Sequence, residues 1–158
     1  MNAKTRGIRN NNPGNIRRSG SNWKGLCPLQ KDMSFCQFKE MKWGVRALIY
    51  ILRTYVTKRN CTSVSKIISR WAPAEDNNNT LLYIKYCATK VGGVLSPKST
   101  EREKEQVGLN YTFKAEDFKL KDGFLSSDIL YALVAEICRV ECNYKLERGL
   151  FEQAMSVL

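Results

Sequence analysis

Asn10, Asn11, Asn12 and Asn15 crowd RGIRNNNPGNIRR, residues 6–18, a stretch dense in turn formers and read as loop. Their amides can hydrogen-bond the polar groups of a ligand, or serve the turn itself. Trp23, Phe38 and Trp43 follow. Such rings stack on the apolar faces of sugars or fill a core. Arg6, Arg9, Arg17 and Arg18 offer guanidiniums to carboxylates or phosphates, or form a solvated basic face. Near the other end, Glu141 stands four residues after Ile137 and seven after Val134, beside the apolar stripe of a helix. A carboxyl in that position is partly buried. Burial raises its pKa, and a carboxylic acid still protonated near neutral pH can act as a general acid. Glu136 is the competing acid on the same helix, and Trp71 and Tyr83 read as core or cleft wall.

Charge points to an anionic partner. Residues 1–60 hold 13 Lys and Arg against 2 acids, while residues 61–158 hold 13 against 13, so the whole excess of +11 lies in the first part. Sign alone does not choose among nucleic acid, membrane surface and cell wall. Six cysteines at positions 27, 36, 61, 87, 138 and 142 lack paired spacing, and there is no histidine. No metal site or cofactor is expected, and reduced thiols are the plain reading. No apolar run approaches the roughly 18 to 20 residues of a membrane span, so no membrane insertion is expected. The start lacks the apolar stretch of a secretory signal. The expectation is synthesis in the cytoplasm, with action at the cell wall after release, injection or non-classical export.

The elements that must position these residues are mainly helical. Alternation in Met33–Lys39 suggests a short strand or hairpin arm. Val45, Leu48, Ile49, Leu52, Tyr55 and Val56 predict an amphipathic helix over 41–58. Thr62 reads as the cap of a second helix reaching about Arg70, and Asn79 as the cap of a third over 80–91, closed by Gly92 and Gly93. A charged short helix is expected near 99–107, within a poorly legible stretch, 94–125. Ser126 or Ser127 would cap a long helix over 127–141, and a last helix covers roughly 145–157. One domain over 1–158 follows, with loop and β hairpin in 1–40 and helices in 41–158.

Read in order, RGIRNNNPGNIR, Trp23-Lys24-Gly25, Asp32, Phe35-Cys36-Gln37-Phe38, Trp43-Gly44-Val45-Arg46-Ala47, Ile67–Pro73, Asn79-Thr80 and Tyr83-Ile84 resemble a phage and prophage family of lysozyme-like proteins, often labelled virion structural protein. The Asn-rich loop, the Trp-x-Gly and the aromatic strand are also similar to the middle of peptidoglycan glucosaminidases. In those enzymes a helix bearing the catalytic glutamate precedes the loop. Here Ala135–Tyr144 resembles the helix end of lytic transglycosylases, with Glu141 on the catalytic glutamate and Cys142 where serine is usual. The resemblances together imply a circularly permuted lysozyme-like domain, whose acid-bearing helix has moved to the end of the chain.

They also imply a substrate, the glycan strand of peptidoglycan, and a reaction, cleavage of its glycosidic bond by a muramidase or lytic transglycosylase. Glu141 would be the single general acid and base. Asp32, Glu40 and Glu75 are candidates for a second acid. Asn10, Asn12, Asn15, Arg17, Trp23, Phe38, Trp43 and Tyr144 are candidates for substrate contact, and a monomer is expected. Two other functions stay open: an inactive module that holds peptidoglycan in a virion or secretion machine, and a nucleic-acid-binding protein. The last ranks lowest, because no recognised nucleic-acid-binding motif occurs.

Overall fold

A computed structural model describes residues 4–120 and 128–158. The chain is mainly α-helical, as the periodicity predicts. Its helices are α1 (Arg6–Arg9), α2 (Met41–Lys58), α3 (Val64–Trp71), α4 (Thr80–Leu95), α5 (Glu101–Asn110), α6 (Asp128–Cys142) and α7 (Arg148–Ser156). Short 3-10 turns lie at Ala74–Asp76 and Ala115–Phe118. No helix among the described residues is long and apolar enough to cross a membrane.

The core forms around α2, whose Val45, Ala47, Leu48, Ile49, Leu52 and Val56 are all buried. Each such aliphatic side chain larger than alanine contributes roughly 1.5–3 kcal/mol on burial. Helices α3 and α7 pack on α2, while α4 pairs with α5 and α6. Leu130, Leu133, Val134, Ile137 and Cys138 of α6 and Phe151 of α7 complete one continuous apolar cluster.

Several local expectations are corrected. Residues 6–18 are not all loop, since Arg6–Arg9 makes one helical turn. The hairpin is absent as a ladder among the described residues, where only two isolated bridges occur, Arg17 with Phe35 and Leu26 with Phe38. Backbone bonds from residues 34–39 divide mainly between residues 16–18 and 25–27, and side-chain amides add to them. Gln30 Nε2 donates to the carbonyls of Cys27 and Gln37, and Gln37 N–H donates back to Gln30 Oε1. The cap of α3 is Ser63, whose hydroxyl accepts from Lys66 N–H at 3.2 Å. Thr62 instead spends its carbonyl on Phe113 N–H, at 2.7 Å.

Asn79 does cap α4, but the helix runs through Gly92 and Gly93 to Leu95. These glycines do not stop it. A Cβ on Gly92 would collide with the Lys104 carbonyl, and one on Gly108 with the Ala88 carbonyl. Close approach of α4 and α5 is therefore what Gly92 and Gly108 permit. Helix α5 sits in the stretch least legible in sequence, held at its start by a reciprocal Thr100–Glu103 capping box. The serine caps expected before α6 lie outside the described residues.

Candidate active-site cleft

The loop after α1 is organised by its asparagines. Asn12, fully buried, donates to the carbonyls of Ile16 and Cys36 and accepts from Ile16 N–H. Asn10, also buried, donates to Asp32 and accepts from Gln37. Asn11 and Asn15 take left-handed backbone angles, φ of 52° and 50°, which asparagine tolerates better than most residues. The loop docks on α2 at Gly44, where a Cβ would meet the Asn11 carbonyl. Asn10 and Asn12 thus spend their amides holding the loop, which corrects their assignment to substrate contact.

Asn15 differs. Its Nδ2 donates to the Glu141 backbone carbonyl at 3.1 Å, across 126 residues of sequence. The first turn and the end of α6 also meet: Thr5 Oγ1 donates to the Cys142 carbonyl at 2.9 Å, and a Cβ on Gly7 would collide with Cys142 Sγ. The helix stops there because Asn143 turns left-handed, its N–H bonding the Arg139 carbonyl. Glu141 is therefore presented at a helix end that abuts the Asn-rich loop.

The Glu141 carboxyl is half-buried and accepts a hydrogen bond from Tyr83 Oη at 2.9 Å. Burial pushes its pKa up from the ordinary carboxylate value, while donors on Tyr83, Trp71 and Asn15 pull the other way. The Tyr83 hydroxyl is held far above its usual range, chiefly by burial and then by the Glu141 charge, so it stays a donor. Glu141 opens on a cleft of about 900 Å³, whose walls include Asn15, Arg17, Trp23, Phe35, Tyr55, Arg70, Trp71, Glu75 and Asp76. That volume suits a sizeable ligand. Two buried polar atoms on these walls, Asn15 Oδ1 and Trp23 Nε1, have no hydrogen-bond partner.

The cleft thus brings together Glu141, Asn15, Arg17, Trp23 and Glu75 of the sequence candidates. It leaves out the others. Asp32 is no free acid: Arg6 donates to both its oxygens at 2.6 Å, and Asn10 Nδ2 and the N–H groups of Ser34 and Phe35 complete its shell. These donors hold its pKa well below the usual carboxylate range. Glu40 is exposed at the start of α2, where it pairs with Lys42 at 3.5 Å. Phe38 is 2% exposed and belongs to the core. Trp43 packs over Gly25, with Lys42 over its ring. Tyr144 lines a separate groove with Tyr131, Arg139 and Lys145. Glu136, the competing acid, is buried but bound by Arg139 at 2.6 Å, and faces that same groove.

Tyr55, Arg70 and Asp76 are the wall residues that sequence reasoning passed over. Tyr55 counted only as part of the α2 stripe, and Arg70 only as a helix end. For Arg70 and Asp76 the sign was position: Arg70 directly precedes the Trp71-Ala72-Pro73 break and Asp76 lies three residues after it, whereas nothing local in the sequence sets Tyr55 on the wall.

No family model matches the chain. It is similar to Protein P5 of Pseudoalteromonas phage PM2, with 44% identity over 95 residues. The match covers 58% of this chain and 59% of the relative, so the chain spans less than two thirds of that protein's length. The likeness is to a phage protein, as the sequence motifs implied.

Proposed function

We propose that this protein cleaves the glycan strand of peptidoglycan, as a muramidase or lytic transglycosylase, with Glu141 as general acid and base. One observation carries the reading: a half-buried carboxyl, raised in pKa and held by Tyr83, opens on a cleft walled by Trp23, Trp71 and the asparagine loop. Glycoside cleavage requires a proton donor for the leaving oxygen. Protonated Glu141 gives its proton to the bridging oxygen, the glycosidic bond breaks, and the carboxylate then takes a proton back from the incoming nucleophile. In the one-carboxylate route the sugar's own substituents supply that nucleophile. If a second carboxylate takes part, Glu75 is the sequence candidate that shares the cleft.

The permuted lysozyme-like arrangement fits the same geometry. The contact of Thr5 and Gly7 with Cys142 lets α6 run in space into the Asn-rich loop, as an unpermuted chain would run in sequence. A phage-like chain acting on the host wall is in keeping with the similarity to a phage protein. The test is product identity. Purified peptidoglycan is incubated with the protein and the soluble fragments are weighed by mass spectrometry. Anhydro-muramyl ends assign a transglycosylase, and reducing ends a hydrolase. Retention on the wall with no fragments would leave a binding module in place of an enzyme.

A further inference from the structure

Two cleft arginines pair with no carboxylate among the described residues. Arg17 lies over the Phe35 ring at 4.9 Å and Arg70 over the Tyr55 ring at 5.3 Å, and both reach the cleft wall. Both are exposed. Neither takes Glu75 or Asp76, which share the cleft, as a partner, although Arg70 also makes a side-chain hydrogen bond with Tyr55. Arg6 makes the contrast. It covers the same Phe35 ring at 4.7 Å, but its fork is closed on Asp32.

A guanidinium has five N–H donors, so one resting on an aromatic face keeps several on its edge even when one is bound, and that planar edge fits a carboxylate with two parallel hydrogen bonds. Stacking also restricts the side chain before the ligand arrives, so less freedom is lost on binding. We propose that Arg17 and Arg70 make the cleft selective for a glycan bearing carboxylate substituents over an uncharged one. This rests on reading the cleft as a glycan site and names the chemistry it selects. In peptidoglycan such a carboxylate comes from the lactyl ether of muramic acid or from the stem peptide.

The test uses Glu141→Gln, so that the ligand stays intact, and measures binding by calorimetry. The probes are an uncharged N-acetylglucosamine tetramer, a peptidoglycan tetramer with free lactyl groups, and the same tetramer with stem peptides. A carboxylated tetramer is expected to bind roughly tenfold or more tighter than the uncharged one, as charge-assisted hydrogen bonds would give. Preference for the bare lactyl tetramer assigns the lactyl group, and preference only for the peptide form assigns the stem. Arg17→Gln and Arg70→Gln should each shrink the preference, and Arg102→Gln, on α5 away from the cleft, should leave it unchanged. High salt should shrink it in the unsubstituted arginine background, a readout free of folding effects. Equal affinity for charged and uncharged tetramers overturns the inference and leaves the glycan site standing. Equal weakening of all probes by the arginine variants also overturns it. Binding of none of the three overturns the glycan site itself.

Discussion

Burial raises the pKa of Glu141, and Tyr83 opposes that rise. The Tyr83 hydroxyl donates to the carboxylate and so favours the ionised form. Tyr83→Phe removes that donor, and the Glu141 pKa should rise further. The protonated acid then persists to higher pH, so the alkaline limb of the pH–rate profile should move upward. An unmoved limb would separate Tyr83 from the acidity of Glu141. Asp32 behaves oppositely. Its folded pKa lies far below the unfolded value of about 3.9, so its stabilisation is complete above that value and fades as the pH falls below it. Asp32→Asn should lower the urea midpoint at pH 7, and the gap to the unsubstituted protein should narrow toward pH 2. A gap of equal size at both values would mean that Asp32 acts by shape and not by charge.

Among the elements, the α4–α5 pair is where sequence periodicity was least informative. Gly92 and Gly93 look like a helix stop, because glycine commonly follows a helix end. In the fold, Gly92 serves contact, and that function is visible only once α5 lies across it. Gly108 carries the reciprocal approach. Gly108→Ala gains up to about 1 kcal/mol of helix propensity. It should nonetheless destabilise the protein by about 1–3 kcal/mol, through overpacking against the Ala88 carbonyl. Gly149→Ala, on α7 with open space at its Cβ, should stabilise it by up to about 1 kcal/mol. Thermal or urea unfolding of the two variants checks both signs. By contrast, α2 was legible to the residue, because its apolar positions repeat over five turns and nothing competes with them. The hairpin expectation failed for a local reason. Alternation in Met33–Lys39 does set Cys36 and Phe38 inward, but its backbone hydrogen bonds divide mainly between residues 16–18 on one side and 25–27 on the other, one bridge each, so no ladder propagates.

At the scale of the molecule, the fold joins the two ends of the sequence. The Asn-rich loop and the end of α6 are 126 residues apart at their Asn15–Glu141 contact, and no local pattern predicts such a meeting. The motif resemblance implied it, by setting an acid-less loop beside a loop-less acid. What could not be read was which candidates the meeting would use. Asn10, Asn12, Phe38 and Asp32 share residue types with ligand-binding groups, and only their burial and hydrogen bonds show them spent on structure. The central claim is that Glu141 does chemistry in the cleft these parts build. It is tested most directly by the rate at which wild type and Glu141→Gln release soluble fragments from purified peptidoglycan, with equal folding checked by circular dichroism. Loss of a general acid should slow release by roughly 10²–10⁴-fold. Release by the variant at the wild-type rate would contradict the account.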